Sequence, residues 1–280
     1  MARVLPPAFA SDNAPAIDAS GEYGRQDPGT LIDESPDPFA NLPRTRRITA
    51  RVARSAALVI CSLALVGLII TSASPAAGVR RWDSSISRDL ADSRSRDFVQ
   101  LAEWFSGMAD TRPIIGIMAL VTIILAACRQ WRAILLLPVA MFVEITGFLA
   151  VNYLVGRPRP EVTKIGPIPS TYSFPSGHVA ATFVCWFGSA LLLYAFGRTA
   201  LSKALAAIAV VMTVGTGWAR VYLGMHHTLD VAIGLVLGIA ALAIAVRSLD
   251  MPVEQLRATG RAAPFREAVP SPPARPEMGA

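Results

Sequence analysis

Charge is what this sequence has little of: Asp, Glu, Lys and Arg supply 16% of its 280 residues, against 53% hydrophobic residues and a mean hydropathy of +0.46. An ordinary soluble domain carries about 25% charged residues. The shortage is concentrated, because residues 55–79, 114–127, 133–143 and 204–218 contain no charge at all. Cysteine is also scarce. Cys61, Cys128 and Cys185 are odd in number and each lies in or at the end of an apolar run, so they read as small buried hydrophobes, not as a disulfide framework. Long apolar blocks cut by short basic connectors exclude a soluble enzyme, a disordered chain and a disulfide-stapled module as readings of the whole chain.

What charge there is has a pattern. The formal net charge is +6 and the isoelectric point 9.7, but the basic residues sit beside apolar spans, as in Arg44, Arg46, Arg47, Arg51 and Arg54. That is the positive-inside pattern of a membrane protein and not a groove for nucleic acid. Residues 1–44 and 251–280 are rich in Pro and lack a sustained apolar period, so both tails are expected to be disordered. Between them, residues 45–250 form one membrane domain. Its six expected spans are 55–77, 110–128, 133–155, 178–197, 201–221 and 229–247, which makes the fold all-α, a polytopic six-helix bundle. The arginines before the first span place both termini in the cytoplasm. Against this, the first outer loop carries Arg80, Arg81, Arg88, Arg94, Arg96 and Arg112. The same loop holds two apolar stripes, Trp82, Ile86 and Leu90, then Phe98, Leu101, Ala102, Phe105 and Met108. Such stripes suit a headgroup layer or a lid on the bundle.

Three polar clusters border the spans on one expected face. They are "GRPRPE" with Arg157 and Arg159, "FPSGH" from Phe174 to His178, and "ARVYLGMHHTLD" from Ala219 to Asp230. Taken singly, snorkelling arginines, a helix-entry turn and an interfacial histidine explain them. Taken together they assemble an anion site. Ser176 and Gly177 at a helix start offer a hydroxyl and unpaired backbone N–H groups, while Arg159, Arg220 and Arg157 offer guanidinium forks for phosphate oxygens. On a helix, His226 lies four residues and His227 three residues before Asp230, so either imidazole can meet the carboxylate that would fix its tautomer. His178 is a further imidazole, able to protonate a leaving group.

The ordered set R-P, P-S-G-H and R-x5-H-x3-D, from Asn152 to Asp230, resembles the type 2 phosphatidic acid phosphatase superfamily, in its six-span bacterial membrane branch. The resemblance implies a metal-independent transfer in which His226 attacks phosphorus to form a phosphohistidine and Asp230 orients its ring. It implies His178 as the donor to the leaving oxygen, and Arg159, Ser176, Gly177 and Arg220 as holders of the phosphate. Two positions depart from the family pattern: Asn152 stands where Lys is usual, and Ala219 where Ser is usual. Lys164 and Arg157 are candidates to replace the missing charge, and Asn152 itself is a candidate neutral donor.

The expected function is therefore a membrane phosphatase for a lipid phosphate or diphosphate of the polyprenyl diphosphate, phosphatidylglycerophosphate or phosphatidic acid class. It would act on the outer face of the cell membrane, with the bilayer as partner and no cofactor or nucleic acid. A phosphotransferase using the same intermediate, and a polyprenyl-phosphate binding or translocating protein, are the alternatives. A metal site of His178, His226, His227 and Asp230 is disfavoured, because the neighbouring arginines repel a cation and attract an anion. Glu144, an ionisable residue inside the third span, is a functional candidate by its location alone. Gly234 and Gly238 read as a close helix-packing motif without chemistry.

Overall fold

The structure is a computed structural model that describes residues 44–249 apart from Ala73 and Arg132. The tails expected to be disordered lie outside the described residues. Among those described, every regular element is a helix. They are α1 (Arg44–Ser72), α2 (Ala77–Asp92), α3 (Arg96–Met108), α4 (Thr111–Ala127), α5 (Leu136–Val155), α6 (Gly177–Ala195), α7 (Thr199–Tyr222) and α8 (Thr228–Ser248).

Five of these are long and apolar enough to cross a membrane, alone or, for α5, with the short 3-10 turn that precedes it. A sixth span is made by α3 and α4 only if the pair is counted as one element, bent by 48° at Ala109–Asp110. The chain is thus a multi-pass membrane protein. The expected second span, 110–128, is the unbroken helix α4, with Asp110 at its N-cap and Pro113 in its first turn, and its 17 residues are short for a span by themselves. The first span stops at Ser72 and not at residue 77, where Pro75 sits in a short 3-10 turn that opens α2.

The core is built where α5, α6 and α8 meet, around Leu136, Leu137, Ala140, Val184, Cys185, Ala241 and Ala245. A second cluster joins α1 to it through Leu63, Ala64, Val151, Phe174 and Leu237. Small residues let these helices approach closely. A Cβ on Gly234 would lie 2.4 Å from the Ser176 carbonyl oxygen, and one on Gly238 would lie 2.9 Å from the Ala180 carbonyl oxygen. The G-x3-G pair is therefore a contact between α8 and the start of α6, as its spacing predicts.

The two loop helices, α2 and α3, are amphipathic in an unusual sense. Their buried residues are Asp83 and Ser87 on α2 and Ala102 and Ser106 on α3. Trp82, Phe98, Leu101 and Trp104 point outward and are exposed. Small and polar groups face the bundle while aromatic rings face the surroundings, which suits helices lying against lipid. Phe105 is the exception, because its ring lies against Gly215 of α7 where no side chain larger than hydrogen fits.

Candidate active site

The ends of α1 and α5, the starts of α6 and α8, the end of α7, and the inner faces of α2 and α3 converge at one end of the bundle. The turn from α7 into α8 carries the central residues. Gly224 holds φ +76 there, and a Cβ would meet Val162 at 2.8 Å and the Thr163 carbonyl oxygen at 3.0 Å, so a side chain is excluded on both counts. This turn presents His226 and His227 ahead of the helix. α8 starts at Thr228, and the spacing argument that put His226 and Asp230 on one helical face does not hold.

The ring of His226 is buried. Its Nδ1 lies 2.6 Å from the Ser173 backbone carbonyl oxygen and 3.9 Å from Asp230 Oδ2. A carbonyl only accepts, so Nδ1 must carry the hydrogen, and Nε2 keeps its lone pair. The tautomer is set by a main-chain oxygen and not directly by the carboxylate. Burial, then the positive charge of Arg220, hold the His226 pKa well below 6.5, which keeps the ring neutral.

Asp230 acts one step back. Its carboxylate accepts from the Ser173 hydroxyl in a very short hydrogen bond, from the His227 backbone N–H at 2.8 Å, and from Arg157 Nη1 at 2.6 Å. His227 Nδ1 also lies 3.3 Å away. Asp230 thus fixes the loop whose carbonyl fixes His226, while closing the N-terminus of α8. Its own carbonyl accepts from the Ser176 N–H at 2.9 Å, which ties the turn that opens α6 to α8.

Arg157 is fully engaged in this framework. Its Nη2 donates to Asp83 Oδ2 at 2.8 Å, so the guanidinium bridges two wholly buried carboxylates. Asp83 Oδ1 in turn accepts from the Leu229 N–H at 3.1 Å. Of the two candidates for the missing charge, Arg157 therefore holds carboxylates. Lys164 donates to the Pro160 carbonyl at 3.0 Å and closes its own loop.

Asn152 is buried and satisfied on both sides of its amide. Nδ2 donates to the Tyr172 and Phe174 carbonyls, each at 2.9 Å, and Oδ1 accepts from the Tyr172 N–H at 2.9 Å. In this chain the position is a clamp on the segment that contains Ser173. Glu144 is buried in α5, two helical turns before Asn152, and takes no part in the cluster.

The remaining candidates carry donors that the protein leaves open. Arg220 is buried and gives Nη1 to Ser106 Oγ at 2.9 Å, while its Nε and Nη2 have no protein partner. Arg159 gives Nη1 to the Met225 carbonyl at 2.6 Å and Nη2 to the Thr171 carbonyl at 3.0 Å, and its Nε has no protein partner. Ser176 Oγ, at the cap of α6, is likewise buried and unpaired. The first N–H groups of α6, from Gly177 on, have no helical acceptor. Open donors on two arginines, a hydroxyl and a helix start thus border a neutral imidazole, a set of the kind that an anion can satisfy. His178 stands beside this set, half-buried, with Nε2 3.1 Å from Asp110 Oδ1.

Residues 131–253 match the model of the PAP2 superfamily. That stretch, 123 of the chain's 280 residues, is similar to the PAP2 superfamily. The crystal structure of a transmembrane PAP2-type phosphatidylglycerolphosphate phosphatase from Bacillus subtilis aligns with a TM-score of 0.59 at 23% identity, over 66% of this chain and 93% of that one. Aquifex aeolicus LpxE aligns with a TM-score of 0.46 at 22% identity, over 58% of this chain and 93% of that one. No curated protein matches the sequence. The first likeness establishes the fold, a PAP2 helix bundle, as the motifs imply.

Four residues of the site escaped the sequence reading: Asp83, Ser106, Asp110 and Ser173. The first three lie between 68 and 146 positions away from these partners, so no local pattern marks them. Ser173 is close to the P-S-G-H turn, and that proximity was its one signal.

Proposed function

We propose that the protein is an integral-membrane phosphatase that hydrolyses a lipid phosphate or diphosphate through a phosphohistidine on His226. The observation that carries this reading is the set of open buried donors on Arg220, Arg159 and Ser176 beside a neutral imidazole whose Nε2 is unprotonated. Nε2 attacks phosphorus, the N–P bond forms, and the bond from phosphorus to the leaving oxygen breaks. His178, steadied by Asp110, gives its proton to that oxygen. Water, deprotonated by His178, then attacks the phosphohistidine, the N–P bond breaks and phosphate leaves. Arg159, Arg220, Ser176 and the Gly177 N–H hold the three non-bridging oxygens throughout, which stabilises the charge of the transition state.

The substrate class follows from the setting. The site lies at the bundle end where apolar spans finish and where α2 and α3 present aromatic side chains outward. A phosphate carried by a membrane lipid reaches such a site from the bilayer. Polyprenyl diphosphate, phosphatidylglycerophosphate and phosphatidic acid are the classes that fit. The arginines from Arg44 to Arg54 lie at the start of α1 and the site lies beyond its far end. With the N-terminus cytoplasmic, the active site then faces outward from the cell membrane.

The test is phosphate release by the purified full-length protein from a panel of these lipids, with excess chelator present. Release that persists in chelator and is blocked by vanadate, which adopts a five-coordinate geometry like that of phosphoryl transfer, is expected. Activity that disappears with chelator and returns with a divalent ion would overturn the mechanism.

A further inference from the structure

Beside the transfer site lies a cleft of about 430 Å³ between the end of α1, the first turns of α2 and the loop after α5, whose lining does not include His226. Its lining includes five arginines, Arg80, Arg81, Arg88, Arg157 and Arg159, together with His227. One carboxylate, Glu161, faces the same space. Arg157 is already matched by Asp83 and Asp230, which leaves Arg81 and Arg88, with the shared Arg159, against the one acid of the lining. Arg80 anchors one wall by donating Nη1 to the Ile70 carbonyl at 3.1 Å. Arg81 and Arg88 are exposed at the mouth. These are arginines of the loop whose charge runs against the positive-inside pattern, and the phosphate-transfer reaction makes no use of them.

We infer that this cleft is a binding site for the phosphate headgroup of an anionic phospholipid of the surrounding bilayer, separate from the lipid being turned over. Three observations carry it. The excess of guanidinium groups selects an anion, and their planar forks match phosphate oxygens. The cleft begins at Thr71, where the first membrane span ends, and so stands at headgroup depth. Arg159 and His227 belong to both the cleft and the reaction site's walls, so a headgroup there packs directly against the framework of Asp230 without needing to reach His226 Nε2. The second histidine of the His226–His227 pair thereby acquires a place: it faces the lipid cleft.

The experiment uses full-length protein equilibrated with mixed micelles of phosphatidylglycerol and phosphatidylcholine, with retained lipid counted by native mass spectrometry. Wild-type protein retains phosphatidylglycerol over phosphatidylcholine, and Arg81→Gln/Arg88→Gln lowers that preference about thirtyfold, given the attraction of two basic residues for an anionic surface. Hydrolysis of a soluble phosphate ester by this variant stays at the wild-type rate, which shows that it is folded. Arg96→Gln/Arg112→Gln, two exposed arginines outside the cleft, leaves the preference unchanged. Equal loss from both double variants would mean diffuse surface attraction and overturn the site. Displacement of the lipid by inorganic phosphate would make it a free-phosphate site and overturn the assignment to lipid, as would an undiminished preference in Arg81→Gln/Arg88→Gln.

Discussion

The hydrogen that His226 Nδ1 gives to the Ser173 carbonyl decides which nitrogen reacts, and it separates two adjacent histidines that spacing to Asp230 alone leaves equivalent. His226→Ala is expected to abolish turnover with no burst of released alcohol. His227→Ala keeps the nucleophile and its tautomer, so its turnover stays within a few-fold of wild type; steady-state kinetics of both variants check the assignment. The same burial sets a pH dependence. His226 is held below 6.5 in the folded protein and returns to about 6.5 on unfolding. The unfolded state therefore binds the extra proton, and this group's stabilising contribution is complete above about pH 6.5 and declines as the pH falls below it. Thermal unfolding in detergent should show wild type losing more stability than His226→Gln between pH 7.5 and 5.5, by roughly 1 kcal/mol; identical losses would show that the ring is not held neutral. Asn152 gives the third residue-level expectation. Asn152→Leu removes the clamp on Tyr172–Phe174 and loosens the carbonyl that orients His226, so kcat falls while inhibition by vanadate is little changed. A large rise in the vanadate inhibition constant with kcat preserved would instead make Asn152 a phosphate ligand.

At the scale of elements, the site depends on how closely α8 approaches the start of α6. Gly234→Ala puts a methyl carbon into the Ser176 carbonyl, and backbone on both sides cannot yield as a side chain can. The expected result is a displaced Ser176, a rise in KM and weaker vanadate inhibition; wild-type values for both would show that the approach has slack. The α2 helix is held in by a different device. Asp83→Asn leaves the Arg157 charge half-matched in a buried setting, with an expected loss of about 3 kcal/mol, read by thermal unfolding. Much of this architecture was legible in advance. The spans, the P-S-G-H turn and the third motif announce themselves by apolar length and by rare residue combinations. The inner faces of α2 and α3 and the N-cap of α4 did not, because Asp83, Ser106 and Asp110 look like ordinary acids and hydroxyls of a charged loop until folding carries them to Arg157, Arg220 and His178. The placement of His226 ahead of α8 was also hidden. Asp230 can accept from the His227 N–H only if the helix begins after that residue, and this capping arrangement competes with a continuous helix through both histidines.

At the scale of the whole molecule, the helix bundle gathers the candidate reaction site at one of its ends, beside a basic cleft that begins where α1 finishes. The orientation has a direct test: a cysteine placed near Lys164 should react with an impermeant thiol reagent added outside intact cells, and one placed near Gln130 should not. The reverse pattern would put the site in the cytoplasm. The central claim is that phosphate passes through His226. The measurement that tests it most directly is an alkaline quench of the full-length protein during turnover of a lipid phosphate, followed by peptide mass spectrometry across Arg220–Asp230. Phosphate is predicted on His226 in wild type, and more of it in His178→Ala supplied with a substrate whose leaving group needs no proton. Phosphate on His227, or turnover by His226→Ala with phosphate on neither histidine, would contradict the account.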